Sequence, residues 1–142
     1  ANFSITAMLK FNYFNFHFTR MTPPNNITLS KDKRLLTVSF KDDNYALTSE
    51  FLRVYSPSAE VRGHGPGQET LQLNKKDVTI SSLVPMGNYA IAIHFTDGHT
   101  TGIYSWSYLL HLGAKKYELW QDYCEKVEQN NNKNKSYHKV SI

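Results

Sequence analysis

Residues 89–106 read YAIAIHFTDGHTTGIYSW, and the alternation within them decides the fold. Tyr89, Ile91, Ile93 and Phe95 recur at every second position with small or polar residues between them. That is the period of a half-buried antiparallel strand. Asp97-Gly98 is a strong turn signal, and Thr100–Tyr104 reads as the returning partner of a hairpin. Past the hairpin the period changes. Trp106, Leu109 and Leu110 start a helix that Gly113 interrupts, and Tyr117, Trp120, Cys124 and Val127 continue at helical spacing. On that spacing Cys124 lies on the apolar side, which predicts a buried, inert thiol.

Working back toward the N-terminus, Val78–Ile80 reads as a strand, with a turn around Pro85-Met86-Gly87-Asn88 before Tyr89. Ile27–Ser30 and Leu35–Phe40 are β-rich runs around the polar turn 31–34, with Leu36, Val38 and Phe40 on one face. Asp42-Asp43-Asn44 forms the next turn and Tyr45–Leu47 a short third strand. Thr48 or Ser49 caps a short helix that carries Phe51, Leu52 and Tyr55 inward, and Pro57 ends it. Residues 57–70, PSAEVRGHGPGQET, form an irregular loop with three glycines and two prolines. Such loops inside compact domains are usually functional or mobile. The expected class is α+β: an antiparallel β-sheet with a short inserted helix and a C-terminal helix over one face or edge.

The 142 residues suffice for one domain, and nineteen aromatic side chains supply much of its core. A net charge of +4 suggests a nucleic-acid partner until its distribution is read. Residues 1–20 and 129–142 hold five basic residues and no acidic one, leaving eleven basic against twelve acidic between them. The excess sits in the tails and not on a folded surface, which argues against nucleic acid. The single cysteine leaves no internal disulfide and fits a reducing, cytoplasmic compartment. No stretch approaches a membrane span or a secretory leader. Residues 1–20 stand outside the domain, with Phe14, Phe16 and Phe18 alternating as in an edge strand. The domain is expected over 21–128, and 129–142 is an Asn/Lys tail expected to be disordered.

The loop also carries the candidate binding surface. Glycines at Gly63, Gly65 and Gly67 allow close backbone approach, and Arg62 and His64 supply donors beside Glu60. This fits an anion- or peptide-binding loop, and equally a structural Ω-loop. Arg53 is read as pairing with Glu50 or Asp97, and His99 as a turn residue. Tyr104 and Trp106 read as core packing, with partner-groove lining as the alternative. No nucleophile–base pair is legible: Ser56 and Ser58 lie near His64 in the chain, without an orienting carboxylate.

Three segments carry a family resemblance: Leu35–Phe40, Phe51–Gln68 with its SPSAEVRGHGPG run, and Asn88–Trp106 with DGHTTGIYSW. Together they resemble the γ-butyrobetaine hydroxylase-like N-terminal domain, also known in bacteria as a domain of unknown function of the DUF971 type. The resemblance runs from about Ile27 to Leu112 and implies this domain's fold. In the hydroxylase the domain precedes a dioxygenase barrel and binds zinc through three Cys and one His. The cysteines come from a motif of the form L-R-x-x-C-P-C-x-x-C; here Leu52-Arg53 matches its start, but Ser56, Ser58 and Val61 stand at the cysteine positions, and the resemblance makes His99 the counterpart of the fourth ligand. The expectation is therefore no zinc site, no cofactor and no hydroxylase chemistry.

Functionally, the sequence points to a stand-alone, non-catalytic binding or adaptor domain, monomeric or weakly dimeric, with a protein partner. The contact surface comprises the 57–70 loop, the turn at His99, and Arg53, Tyr55, Ser56, Tyr104 and Trp106. The same domain type resembles a segment of some P-loop iron–sulfur carriers. That leaves an accessory role in metal-cofactor assembly, through His64 and His99, as one alternative. An enzyme acting on a small metabolite is another.

Overall fold

The computed structural model describes residues 22–140, with side chains to residue 135. The 1–20 extension lies outside the described residues. Six strands and four helices follow in chain order: β1 (Asn26–Leu29), β2 (Leu35–Phe40), β3 (Asp43–Thr48), α1 (Ser49–Val54), α2 (Ala59–Arg62), β4 (Ile80–Met86), β5 (Ala90–Phe95), β6 (Gly102–Ser105), α3 (Trp106–Ala114) and α4 (Lys116–Val140). The α+β class stands, but the strands form two three-stranded antiparallel meanders, β1-β2-β3 and β4-β5-β6. One core joins them. Leu36, Val38 and Leu47 from the first sheet meet Ile80, Ile91, Ile93, Phe95 and Tyr104 from the second, with Phe51 and Leu52 of α1 and Leu109 and Leu112 of α3.

Several elements differ from their sequence reading for physical reasons. β4 starts at Ile80 and runs through Pro85 to Met86, so the expected turn shrinks to Gly87-Asn88-Tyr89. Pro85 is tolerated because β4 is an edge strand, where a missing N–H costs no ladder bond. Tyr89 falls in that turn and is 57% exposed. β5 is buried on both faces, not one, since Ala90 and Ala92 are covered on the side away from the core. β6 is Gly102–Ser105, two residues later than expected at its start.

The helical break lies at Lys115, not Gly113, which sits inside α3. There its missing side chain lets α3 settle directly on Tyr45 of β3. In α4 the covered stripe is Leu119, Trp120, Tyr123 and Val127. Cys124 is consequently exposed, and the expected buried thiol is corrected. The Asn/Lys tail, expected to be disordered, continues α4 to Val140. Extending an existing helix by one residue fixes few dihedrals per bond gained, so weak helix formers can follow a good start. Among the described residues no helix is long and apolar enough to cross a membrane.

Candidate functional site

The end of α1, the 55–70 segment and the β5–β6 turn converge on one side of the second sheet. Aromatic tips fasten them there. Tyr104 Oη donates to the Leu52 carbonyl (2.5 Å) and Tyr108 Oη to that of Tyr55 (2.6 Å). Tyr55 Oη donates to Leu119 (2.5 Å) and Tyr123 Oη to Gln72 (2.6 Å). Each aromatic body fills space near the core while its polar end bonds to a main-chain carbonyl. Within the stretch read as continuous loop, Ser58 opens the one-turn helix α2, and Gly63 ends it at φ 71°.

Behind this segment lies a buried polar knot. Ser56 Oγ is 2.8 Å from His99 Nε2, and Ser58 Oγ is 3.3 Å from both. On the other ring nitrogen, His99 Nδ1 is 3.3 Å from Glu60 Oε2. A proton on Nδ1 satisfies the set, since Nε2 then accepts from a hydroxyl while Nδ1 donates to the carboxylate. Ser56 is 1% exposed and His99 6%. Beside the knot, Arg53 Nε donates to Asp97 Oδ2 (2.9 Å) and Arg53 Nη1 to Gln72 Oε1 (2.9 Å). Lys75 Nζ reaches the same Asp97 oxygen at 2.8 Å, and the His99 N–H donates to Asp97 Oδ1 (3.3 Å). Of the two carboxylates read as partners for Arg53, the fold selects Asp97.

Burial would raise the Asp97 carboxyl, but the Lys75, Arg53 and His99 donors outweigh it and hold its pKa at about 2. His99 is pushed down, first by burial and then by the Arg53 charge, against the opposing pull of Glu60 and Asp97. Its neutral form therefore belongs to the folded state. A histidine lowered on folding stabilises above its unfolded value, near 6.5, and that contribution is lost as pH falls through the folded value. Hydrogen exchange measured at pH 7.5 and pH 5 should show protection falling at residues 56–62 and 97–101 at the lower pH. In a His99→Gln variant that pH-dependent difference should vanish.

The donor set does not suit zinc. Two neutral hydroxyls and a valine stand where thiolates would be needed, and the hydroxyls are already spent on His99. Among the described residues no group of three or more His, Cys, Asp or Glu could hold a metal ion. Ser56, His99 and Glu60 do form the nucleophile–base–carboxylate relay that the sequence does not show. It is illegible there because His99 lies 43 residues from Ser56, while His64 stands close by in the chain. Yet Ser56 Oγ is walled in. A methyl added at Gly102 would come within 2.7 Å of it, and the Ser58 N–H already points at it from 3.4 Å. No acyl group can approach from that side.

In front of the knot is an open groove of about 860 Å³ between the Gly-rich loop and α4. Arg62, His64 and Gly67 of the loop line it together with Ser56, Tyr108 of α3, and Tyr123 and Lys126 of α4. The Arg62 guanidinium lies 4.9 Å above the Tyr108 ring, an arrangement that holds its charge at the rim. The loop is pinned at its base by Thr70 N–H to the Val61 carbonyl (2.9 Å), and Gly67 takes φ 80°. The candidate residues thus divide. Arg53, Ser58, His99, Tyr104 and Trp106 are buried, as is Ser56, which nevertheless borders the groove, while Glu60, Arg62, His64 and Gly67 are exposed, with Tyr55, Gly63 and Gly65 between. Tyr123 and Lys126 escape a sequence reading, since nothing local places α4 against the loop.

The family model described as "Gamma-butyrobetaine hydroxylase-like, N-terminal" matches residues 27–110. Two solution NMR structures are similar to the chain. One is 41% identical over 78% of this chain and 88% of the other (TM-score 0.69), and the second is 38% identical over 80% and 85% (TM-score 0.67). A crystal structure of a protein of unknown function from Acidithiobacillus ferrooxidans, belonging to the DUF971 family, is 35% identical. It covers 68% of this chain and 98% of its own (TM-score 0.55). No curated protein matches.

Proposed function

Because the chain belongs to the γ-butyrobetaine hydroxylase-like N-terminal family, a domain class without an assigned function of its own, we propose that it is a non-catalytic adaptor that docks a protein partner in the groove beside the Gly-rich loop. The observation that carries this reading is the division of the site. The Ser56 and His99 side chains are buried and bonded to each other, while Arg62, His64 and Gly67 of the loop and Lys126 of α4 are exposed along an open groove that a partner's side chains can enter. The knot then serves as scaffold: it ties α1, α2 and the β5–β6 turn so that the loop holds its shape without a metal. The sequence features that favour a reducing, cytoplasmic setting fit this role, as does a monomeric or weakly dimeric state.

Nothing in the geometry favours the metal-assembly alternative. His99 has both ring nitrogens engaged, and it does not line the groove that His64 borders. A photo-crosslinking amino acid placed at His64 should capture a discrete partner. The same group at Ile103, 46% exposed on β6, should not. Capture at His64 should weaken in Arg62→Ala and Lys126→Ala chains. Equal labelling from both positions, indifferent to those substitutions, would count against the groove.

A further inference from the structure

A second cleft, of about 480 Å³, opens between the first sheet, α1 and the start of α4. Its walls combine three cations, Arg34, Lys76 and Lys116, with the aromatic faces of Phe51, Tyr117 and Trp120. Two of the cations are held in place by main-chain carbonyls. Arg34 Nη1 donates to Lys76 O at 3.2 Å, and Lys116 Nζ donates to Ala46 O at 3.1 Å. Among the described residues none of the three enters an ion pair with a carboxylate, although Arg53, Lys75, Lys115 and Lys126 all do. The acidic side chain in the lining is Glu50; burial raises its carboxyl pKa, against the opposing charge of Lys76 on the same cleft.

Three positive charges beside aromatic walls, two of them held by main-chain carbonyls and none within ion-pair distance of a carboxylate among the described residues, suit a particular ligand. Guanidinium and ammonium groups recognise a phosphate by charge-assisted hydrogen bonds, and Trp120 and Tyr117 offer stacking faces for a flat ring. Glu50, facing the same space, accepts from an exocyclic amine or a hydroxyl. The cleft volume is of the size small-molecule sites occupy. We infer that this cleft binds a small phosphorylated molecule with a flat, amine- or hydroxyl-bearing ring, of the nucleoside monophosphate class, independently of the loop groove.

Trp120 makes the test direct, because the other tryptophan, Trp106, is 7% exposed in the core. Adenosine monophosphate titrated into the full 142-residue chain should quench tryptophan fluorescence saturably, and a Trp120→Phe chain should lose the signal. Adenosine alone and inorganic phosphate alone should each bind at least about tenfold more weakly, and raised salt should weaken the complex. Lys76→Ala should reduce affinity about tenfold by removing one phosphate-facing charge. Lys76 is exposed, and it meets Arg34 through its main-chain carbonyl, which the substitution keeps, so that variant folds. Calorimetry on the Trp120→Phe chain distinguishes lost signal from lost binding. Absence of saturable binding up to millimolar nucleotide overturns the inference, as does binding that Lys76→Ala and Lys116→Ala leave unchanged. A single-stranded oligonucleotide binding far more tightly than the mononucleotide would overturn it too, by assigning the cleft to a polymer.

Discussion

Asp97→Ala should lower the unfolding free energy by about 3 kcal/mol or more, the cost of stranding a buried charge by removing its partner. The Arg53 side chain is 8% exposed and Asp97 is its ion-pair partner, with the Gln72 amide oxygen as a neutral second acceptor. The same carboxylate also holds Lys75 and the His99 N–H, so one substitution loosens α1, the 72–75 segment and the β5–β6 turn together. In thermal melts of a chain this size the loss corresponds to roughly 6–12 °C, from about 2–4 °C per kcal/mol. Asp97→Asn, which keeps an acceptor and loses the charge, should fall between. The pH dependence gives a second check. A carboxyl held at about 2 against an ordinary 3.8 stabilises fully above the ordinary value and loses that contribution as pH drops through 2. The gap between wild type and Asp97→Ala should therefore narrow between pH 4 and pH 2. A gap that stayed constant across that range would mean the charge is not what matters.

Gly113→Ala should destabilise by about 2 kcal/mol, although alanine is the better helix former by about 1 kcal/mol. A Cβ at this position would sit 2.8 Å from Tyr45 Cβ and 2.6 Å from Cδ1, which is the root of that side chain and not its mobile end. Tyr45 cannot swing aside cheaply, since it is part-buried and packs at 6.3 Å against the Phe40 ring. To accept the methyl, α3 must lift from β3, and Leu109 and Leu112, both fully buried, lift with it. Gly65→Ala provides the contrast: nothing lies within 4 Å of its added Cβ and its φ is not positive, so unfolding midpoints should barely move. In a Tyr45→Gly background, which removes the Cβ as well as the ring, the Gly113→Ala penalty should largely disappear, a coupling readable by a double-mutant cycle. An unchanged penalty there would place the clash elsewhere.

Where local pattern governs structure, sequence and fold agree closely. The β1–β2–β3 meander, the capped helix after Thr48 and the hairpin around Asp97-Gly98 all follow from alternation, turn residues and a hydroxyl cap. Each of these signals acts between residues a few positions apart. Agreement ends where burial depends on what arrives from afar. The expected set Tyr117, Trp120, Cys124 and Val127 and the observed stripe Leu119, Trp120, Tyr123 and Val127 share Trp120 and Val127 and differ by less than a helical turn. The choice between them rests on Tyr123 Oη reaching the Gln72 carbonyl, 51 residues away. β5 reads as half-buried because alternation cannot show that Ala90 and Ala92 are covered on their second face.

The candidate site shows the same division. Composition alone locates the Gly-rich loop with Arg62 and His64, and the family resemblance marks Ser56, Ser58 and Val61 as the positions where thiolate donors are missing. Residue chemistry is a property of the chain, and so is what it excludes. Which histidine meets those serines, which carboxylate answers Arg53, and which helix closes the groove were decided by the tertiary structure. Those pairings span 43, 44 and 51 residues, and no local preference carries information over such distances. They arise because burying a polar group without a partner is costly, so folding brings the groups together wherever they lie in sequence.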